Sequence, residues 1–363
     1  MNREKILVIG AGLAVGILSV LLVHLGNPAN MGFCIACFLR DIAGGLGLHG
    51  AEVVQYLRPE IMGLVLGSFI VAVFFREYKS TGGSAPVIRF FLGVVMMVGA
   101  LIFLGCPLRM LLRLAGGDLN ALVALPGYVL GIWIGTLFLK KGFTLGRSYL
   151  QGKTEGVASP LLSIFLLILL LTAPAFIIFS ESGPGSQYAF WGVALGAGLL
   201  VGVLAQRSRI CTMGGIRDLI LFKDTHLFSG LLALFLVTLA GKLIMGYFDA
   251  GFLEQPVAHT DGLWNFLGMT AVGWGAVLAG GCPLRQLILS GEGSSDALIT
   301  VLGLVAGAAI AHNFGLASSP AGATIHGKVA LGIIFLLLLL IGVFNSQIGI
   351  PAGSSSQSSS HSG

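Results

Sequence analysis

The chain has 363 residues, 56% of them hydrophobic and only 10% charged, and its formal net charge is +5. A mean hydropathy of +0.96 leaves too little charge to clothe a soluble protein of this size, so the composition indicates an integral membrane protein. The positive balance follows from the loop residues that orient such a protein, and no nucleic-acid partner is inferred from it.

Ten apolar runs are long enough to cross a hydrocarbon core of roughly 30 Å as helices, near 5–25, 60–76, 88–105, 120–139, 160–179, 186–205, 227–247, 263–280, 296–315 and 328–346. The first follows only Met1-Asn2-Arg3-Glu4-Lys5. At about 20 apolar residues it is longer than a signal-peptide core, and it reads as an uncleaved helix. Between the first and second runs lies Cys34-Ile-Ala-Cys37, with Arg40-Asp41 six residues after Cys34. The third run ends in Gly105-Cys106-Pro-Leu-Arg109. The polar, basic stretch Lys140 to Ser159 suits a cytoplasmic connection. After the sixth run comes Cys211, again six residues before an Arg-Asp pair, Arg217-Asp218, and the eighth run ends in Gly281-Cys282-Pro-Leu-Arg285. Residues 353–363 are a low-complexity polar tail that cannot form a core and reads as an expression scar.

These motifs are a duplication. Cys34 and Cys106 are 72 residues apart and Cys211 and Cys282 are 71 apart, so the register holds across whole helices. The expected division is a first repeat core at 1–140 with four spans, a cytoplasmic linker and fifth span at 141–180, a second repeat at 181–350 and the polar tail at 351–363. Five spans per half is an odd number, so the second copy enters the membrane in the opposite sense. The expected fold is therefore all-α, an inverted repeat of about ten spans with short re-entrant helices and a shared site between the halves. Placing Met1 inside puts 14 Lys/Arg on the inner segments and five (Arg40, Arg58, Arg109, Arg113, Lys328) outside. That asymmetry predicts cytoplasmic termini.

Local chemistry points to broken helices. A proline suits the first turn of a helix, so Cys106 and Cys282 are expected at N-caps, with Gly105 and Gly281 letting the chain turn. Free N–H groups and a partial positive charge at such an N-terminus suit an anion. One cysteine in a membrane helix is most simply an apolar filler; four at duplicated positions are better read as a path. Arg109 and Arg285, one turn into the helices, either snorkel to a surface or add positive potential. Arg40 and Arg217 admit both an ion-pair and a functional reading. Cys37 has no duplicate, since Gly214 occupies its counterpart, but Cys34/Cys37 has the spacing of a redox pair. The seven histidines form no ligand spacing with the cysteines, and no metal or cofactor is expected. No nucleotide-binding motif accompanies the spans.

The segments Arg209-Ile-Cys211-Thr-Met-Gly-Gly-Ile-Arg217-Asp218, Leu278-Ala-Gly-Gly-Cys282 and Gly291-Glu-Gly293 resemble the YeeE/YedE family of sulfur-transport membrane proteins. The Cys-Pro-Leu-Arg form of both glycine-cysteine motifs resembles the YedE subgroup associated with selenium metabolism more than the thiosulfate importers. The resemblance implies an hourglass-shaped transporter of the cytoplasmic membrane that takes up a small sulfur or selenium anion, with thiosulfate the substrate of the better-understood relatives. It also suggests a cytoplasmic sulfur- or selenium-handling partner. Family functional cysteines correspond to Cys106, Cys211 and Cys282, and the repeat supplies Cys34 as symmetry mate. The competing class is a membrane thiol-disulfide oxidoreductase using Cys34 and Cys37.

Overall fold

A computed structural model describes residues 3–346, so the polar tail expected at 351–363 lies outside the described residues. The fold is all-α. The helices are α1 (Arg3–His24), α2 (Ile35–Gly45), α3 (Pro59–Phe74), α4 (Pro86–Phe103), α5 (Pro107–Leu114), α6 (Leu119–Lys140), α7 (Lys153–Gly156), α8 (Ala158–Thr172), α9 (Trp191–Ser208), α10 (Thr212–Phe222), α11 (His226–Ile244), α12 (Gly262–Ala279), α13 (Pro283–Gly291), α14 (Ser295–Asn313) and α15 (Ile325–Phe344). Two two-residue strands, β1 (Thr81–Gly82) and β2 (Tyr149–Leu150), pair antiparallel and tie the α3–α4 loop to the linker.

Eight of the helices, α1, α4, α6, α9, α11, α12, α14 and α15, are long and apolar enough to cross a membrane, and α3 and α8 are shorter apolar helices. These ten occupy the ten predicted places. The main correction is around 173–190. The fifth run stops at Thr172 because Pro174 disfavours helical geometry at Ala173, which turns left-handed (φ 41°). Helix α9 does not begin until Trp191. The intervening residues form a loop bonded to Gly45 and Gln55 through the N–H groups of Ile178 and Ser180.

Glycine decides how the spans pair. Helix α1 lies along α11, α3 along α9, α6 along α12 and α4 along α14. In each contact a glycine faces backbone. A Cβ on Gly12 would stand 2.0 Å from the Gly230 carbonyl, one on Gly67 2.2 Å from that of Leu199, one on Gly131 2.0 Å from that of Thr270 and one on Gly93 2.2 Å from that of Thr300. Only a hydrogen at these places lets the axes approach, which is how helices associate where no hydrophobic force separates protein from lipid.

The pairing is also symmetric. Exchanging each helix of the first half with its counterpart in the second turns the α3–α9 contact into α11–α1 and the α6–α12 contact into α14–α4. Counterparts that touch directly run antiparallel: Gly99 of α4 faces Gly268 of α12, while Gly275 faces Met96 and Val95. Antiparallel counterparts are what an inverted repeat requires. The face remote from the N-terminus, carrying the loops 25–33, 46–58, 115–118, 173–190 and 245–261, is called distal below; the opposite face is proximal.

Candidate functional site

Helices α2, α5, α10 and α13 have 8 to 11 residues each, far short of a membrane crossing at 1.5 Å per residue. Each begins immediately after one of the duplicated cysteines. Cys34, Cys106, Cys211 and Cys282 are all N-caps in extended conformation. The sequence pointed to caps at Cys106 and Cys282; Cys34 and Cys211 take the same place without a following proline. Their sulfurs do the capping themselves. The Cys37 N–H donates to Cys34 Sγ at 3.3 Å and the Gly214 N–H to Cys211 Sγ at 3.4 Å.

The chain makes each turn with a left-handed residue two positions ahead of the cysteine: Gly32 (φ 44°), Leu104 (φ 64°), Arg209 (φ 55°) and Gly280 (φ 81°). The expectation that Gly105 and Gly281 provide the turn is therefore corrected. Neither has a positive φ, and both serve instead to leave room for an arginine. A Cβ on Gly105 would meet Arg109 Cδ at 2.9 Å, and one on Gly281 would meet Arg285 Cβ at 3.2 Å.

All five cysteines are free and buried. Cys34 Sγ lies 2.8 Å from Cys37 Sγ, and Cys106 stands beside Cys34, facing the backbone N–H groups of Ala36 and Arg109. Cys211 Sγ lies 3.4 Å from Cys282 Sγ. The sulfurs thus form two groups, Cys34/Cys37/Cys106 and Cys211/Cys282, each at two helix N-termini. Tyr128 of α6 stands between them, near Cys106, Cys211 and Cys282, and its hydroxyl is 3.1 Å from Thr212 Oγ1.

The duplicated arginines are used unequally. Arg109 is fully buried and does not snorkel. It donates to the carbonyls of Asn30, Leu104, Pro256 and Val257, and its Nη1 lies 3.8 Å from Cys37 Sγ. Among the described residues no carboxylate pairs with it. Three of its four carbonyls come from non-glycine residues in the left-handed region, Asn30 (φ 59°), Leu104 and Val257 (φ 50°), a conformation that asparagine tolerates but that costs leucine and valine about 1–2 kcal/mol each. Two strained residues, Leu104 and Val257, thus present their carbonyls to this guanidinium. Arg285 instead bonds Glu292 at 2.9 Å. Burial raises the Glu292 carboxyl above its ordinary value, and Arg285 opposes that shift.

Arg40 and Arg58 share the buried Asp41, each at 2.7 Å. The duplicate Arg217–Asp218 is a partly exposed pair at 2.8 Å, so Arg217 is not brought to the cysteines and Arg40 belongs to a structural ion cluster. The wider charge pattern is one-sided. Among the described residues, the buried cations Arg40, Arg58, Arg109, Arg113 and Lys242 all belong to the distal side, where the buried carboxylates are Asp41, Glu60 and Asp118. A buried, uncompensated positive charge is costly unless an anion visits it.

Lys242 and Tyr128 escaped the sequence reading because neither is duplicated. For Lys242 a signal existed, since an ionisable residue within an apolar run is a functional candidate by default. Tyr128 had none. No group of three or more His, Cys, Asp or Glu able to hold a metal occurs among the described residues.

Part of the chain is similar to known sulfur-transport proteins. Residues 207–354 match the family model described as Sulphur transport. A thiosulfate transporter TsuA of Spirochaeta thermophila is 35% identical over 105 residues, 29% of this chain and 31% of that protein. The thiosulfate transporter TsuA of Escherichia coli is 34% identical over 96 residues, 26% of this chain and 27% of that protein. The chain thus spans a third or less of the length of these relatives.

Proposed function

We propose, from the premise that the chain belongs to the YeeE/YedE family of sulfur-transport membrane proteins, that it carries a small sulfur anion of the thiosulfate class across the membrane between its two repeats. The observation that carries this reading is the meeting of four half-helix N-termini, each with a cysteine at its N-cap, in two pairs. Each N-terminus contributes about half a positive charge and unsatisfied N–H groups, and each thiol contributes a weak donor and a polarizable surface that holds an anion loosely. Passage requires favourable entry without a deep trap. Two weak sites in series meet that need better than one strong site.

On this reading the distal face is extracytoplasmic and both termini are cytoplasmic. The anion meets Cys34 and Cys106, passes Tyr128 and reaches Cys282 and Cys211. Residues 1–140 and 181–350 form the repeats, joined by the linker and fifth span at 141–180. Arg109 supplies positive potential to the first pair; Arg285, matched by Glu292, supplies less to the second. The Pro-Leu-Arg after both glycine-cysteine motifs is the reason to include selenium oxyanions among the substrates. A cytoplasmic sulfur- or selenium-handling protein would receive the anion.

Purified protein in liposomes tests the reading. Labelled thiosulfate is expected to accumulate above protein-free liposomes and to be displaced by unlabelled thiosulfate, with selenite and sulfite as graded competitors. Accumulation no greater than in protein-free liposomes would refute it. A second reading is favoured by the 2.8 Å approach of Cys34 and Cys37, a dithiol placed to form a disulfide with an external acceptor that takes up its two electrons. It predicts thiol-disulfide exchange that disappears in Cys37→Ser while thiosulfate uptake is absent throughout.

A further inference from the structure

A cavity of about 410 Å³ opens on the distal face between the ends of α1 and α11 and the loop that follows α11, and Asn30, Gly116 and Lys242 line it. Lys242 is 3% exposed. Its Nζ donates to Asn30 Oδ1 and, at 2.7 Å, to the Leu112 carbonyl. An ammonium has three donors, so one remains for a ligand. The space exists because residue 116 has no side chain: a Cβ there would stand 2.6 Å from Lys242 Nζ and 2.8 Å from Asn30 Oδ1.

Asn30 joins this lysine to the cysteines. While its side chain receives Lys242, its backbone carbonyl receives Arg109 Nε at 3.1 Å. One left-handed residue therefore holds two buried cations, and Arg109 in turn reaches Cys37. Neither cation has a carboxylate partner among the described residues. The neighbouring Asp118 is committed to Arg113 at 2.6 Å, and Glu60 lies behind Asn27, accepting from its amide at 2.7 Å. Asp249 and Glu254 also line the cavity, but both are exposed. The floor of the cavity is positive and only its solvated rim is negative.

We propose that Lys242, positioned by Asn30 and admitted by Gly116, forms an entry subsite for a small divalent oxyanion ahead of the Cys34/Cys106 pair. The free lysine N–H recognises an oxygen of the ligand, the adjoining guanidinium, its own donors taken up by carbonyls, adds positive potential, and a sulfane sulfur is left to the thiols further in. The subsite deepens the transport reading and rests on it for the direction of passage, but it makes a separate demand on equilibrium binding.

The test is thiosulfate binding to the purified full chain by calorimetry, with uptake measured in parallel. Lys242→Met is expected to raise the thiosulfate Kd by about tenfold or more, equivalent to about 1.4 kcal/mol. Lys242→Arg, which keeps the charge and guards against loss through misfolding, is expected to stay within about threefold of the parent. An unchanged Kd in monodisperse Lys242→Met protein overturns the subsite even if uptake persists, as does an absence of measurable binding to the parent chain. Binding that depends on Lys242 without any uptake supports the subsite and refutes transport.

Discussion

Arg109 and Arg285 stand at the same place in the duplicated motif, yet one is wrapped in carbonyls and the other is paired with an acid. A guanidinium satisfies several carbonyls from one rigid plane, and a lysine cannot. Arg109→Lys leaves buried carbonyls unpaired at about 1–3 kcal/mol each, so a substantial fall in the thermal unfolding midpoint is expected. Arg285→Lys keeps a cation beside Glu292 and is expected to cost less than about 1 kcal/mol. Calorimetry or intrinsic fluorescence of the two variants in one detergent decides the point, and equal losses would contradict the assignment. At this scale the sequence was legible where residues recur. It disclosed the four cysteines, but it could not tell Arg109 from Arg285, because their surroundings come from unduplicated segments such as Pro256-Val257. The strained Leu104 was hidden for a different reason: leucine disfavours the left-handed region, whereas its counterpart Gly280 enters it without strain.

The elements depend on glycines that the sequence revealed only as a composition. Where a glycine faces backbone across two helices, a side chain must separate the axes. Gly131→Val in α6 would place Cβ against the Thr270 carbonyl, and overpacking of this kind costs about 1–3 kcal/mol or more. By contrast, Gly196 of α9 has nothing within 4 Å of an added Cβ. Gly196→Ala is expected to be neutral or stabilising by up to about 1 kcal/mol through helix propensity. Thermal unfolding of the two variants should therefore separate in sign or clearly in size; equal destabilisation would show that the pairing is wrong. The breaks before α5 and α13 were legible because proline marks a first helical turn. Those before α2 and α10 were not, since Ile35 and Thr212 give no such mark. The early end of α8 was missed because hydrophobicity continues through 173–179 although the backbone leaves the helix at Pro174, and the late start of α9 because Tyr188-Ala189-Phe190 extend the apolar run ahead of it.

The molecule as a whole is an inverted repeat whose symmetry is broken by charge, with every buried lysine and arginine among the described residues on the distal side. The repeat could be read from span parity, but the charge imbalance depends on burial, which hydropathy does not report. The distal loops also carry two buried histidines. Nε2 of His49 bonds the Arg40 carbonyl at 3.0 Å and Nε2 of His259 bonds that of Ile102 at 2.7 Å, while each Nδ1 accepts a backbone N–H. Burial lowers both below the ordinary 6.5. The folded form then binds fewer protons than the unfolded one, so their contribution to stability is full above pH 6.5 and is lost as pH falls toward the folded values. Unfolding midpoints are expected to decline on acidification below about 6.5, and less steeply in His259→Gln; an identical slope in that variant would remove His259 from the account. The central claim, that the duplicated cysteines form the path of a sulfur anion, is tested most directly by thiosulfate uptake into liposomes containing serine variants. Cys106→Ser and Cys282→Ser are each expected to reduce the initial rate by about tenfold or more, equivalent to about 1.4 kcal/mol, with Cys37→Ser remaining within about twofold of the parent. Parental rates in Cys106→Ser and Cys282→Ser would contradict the account.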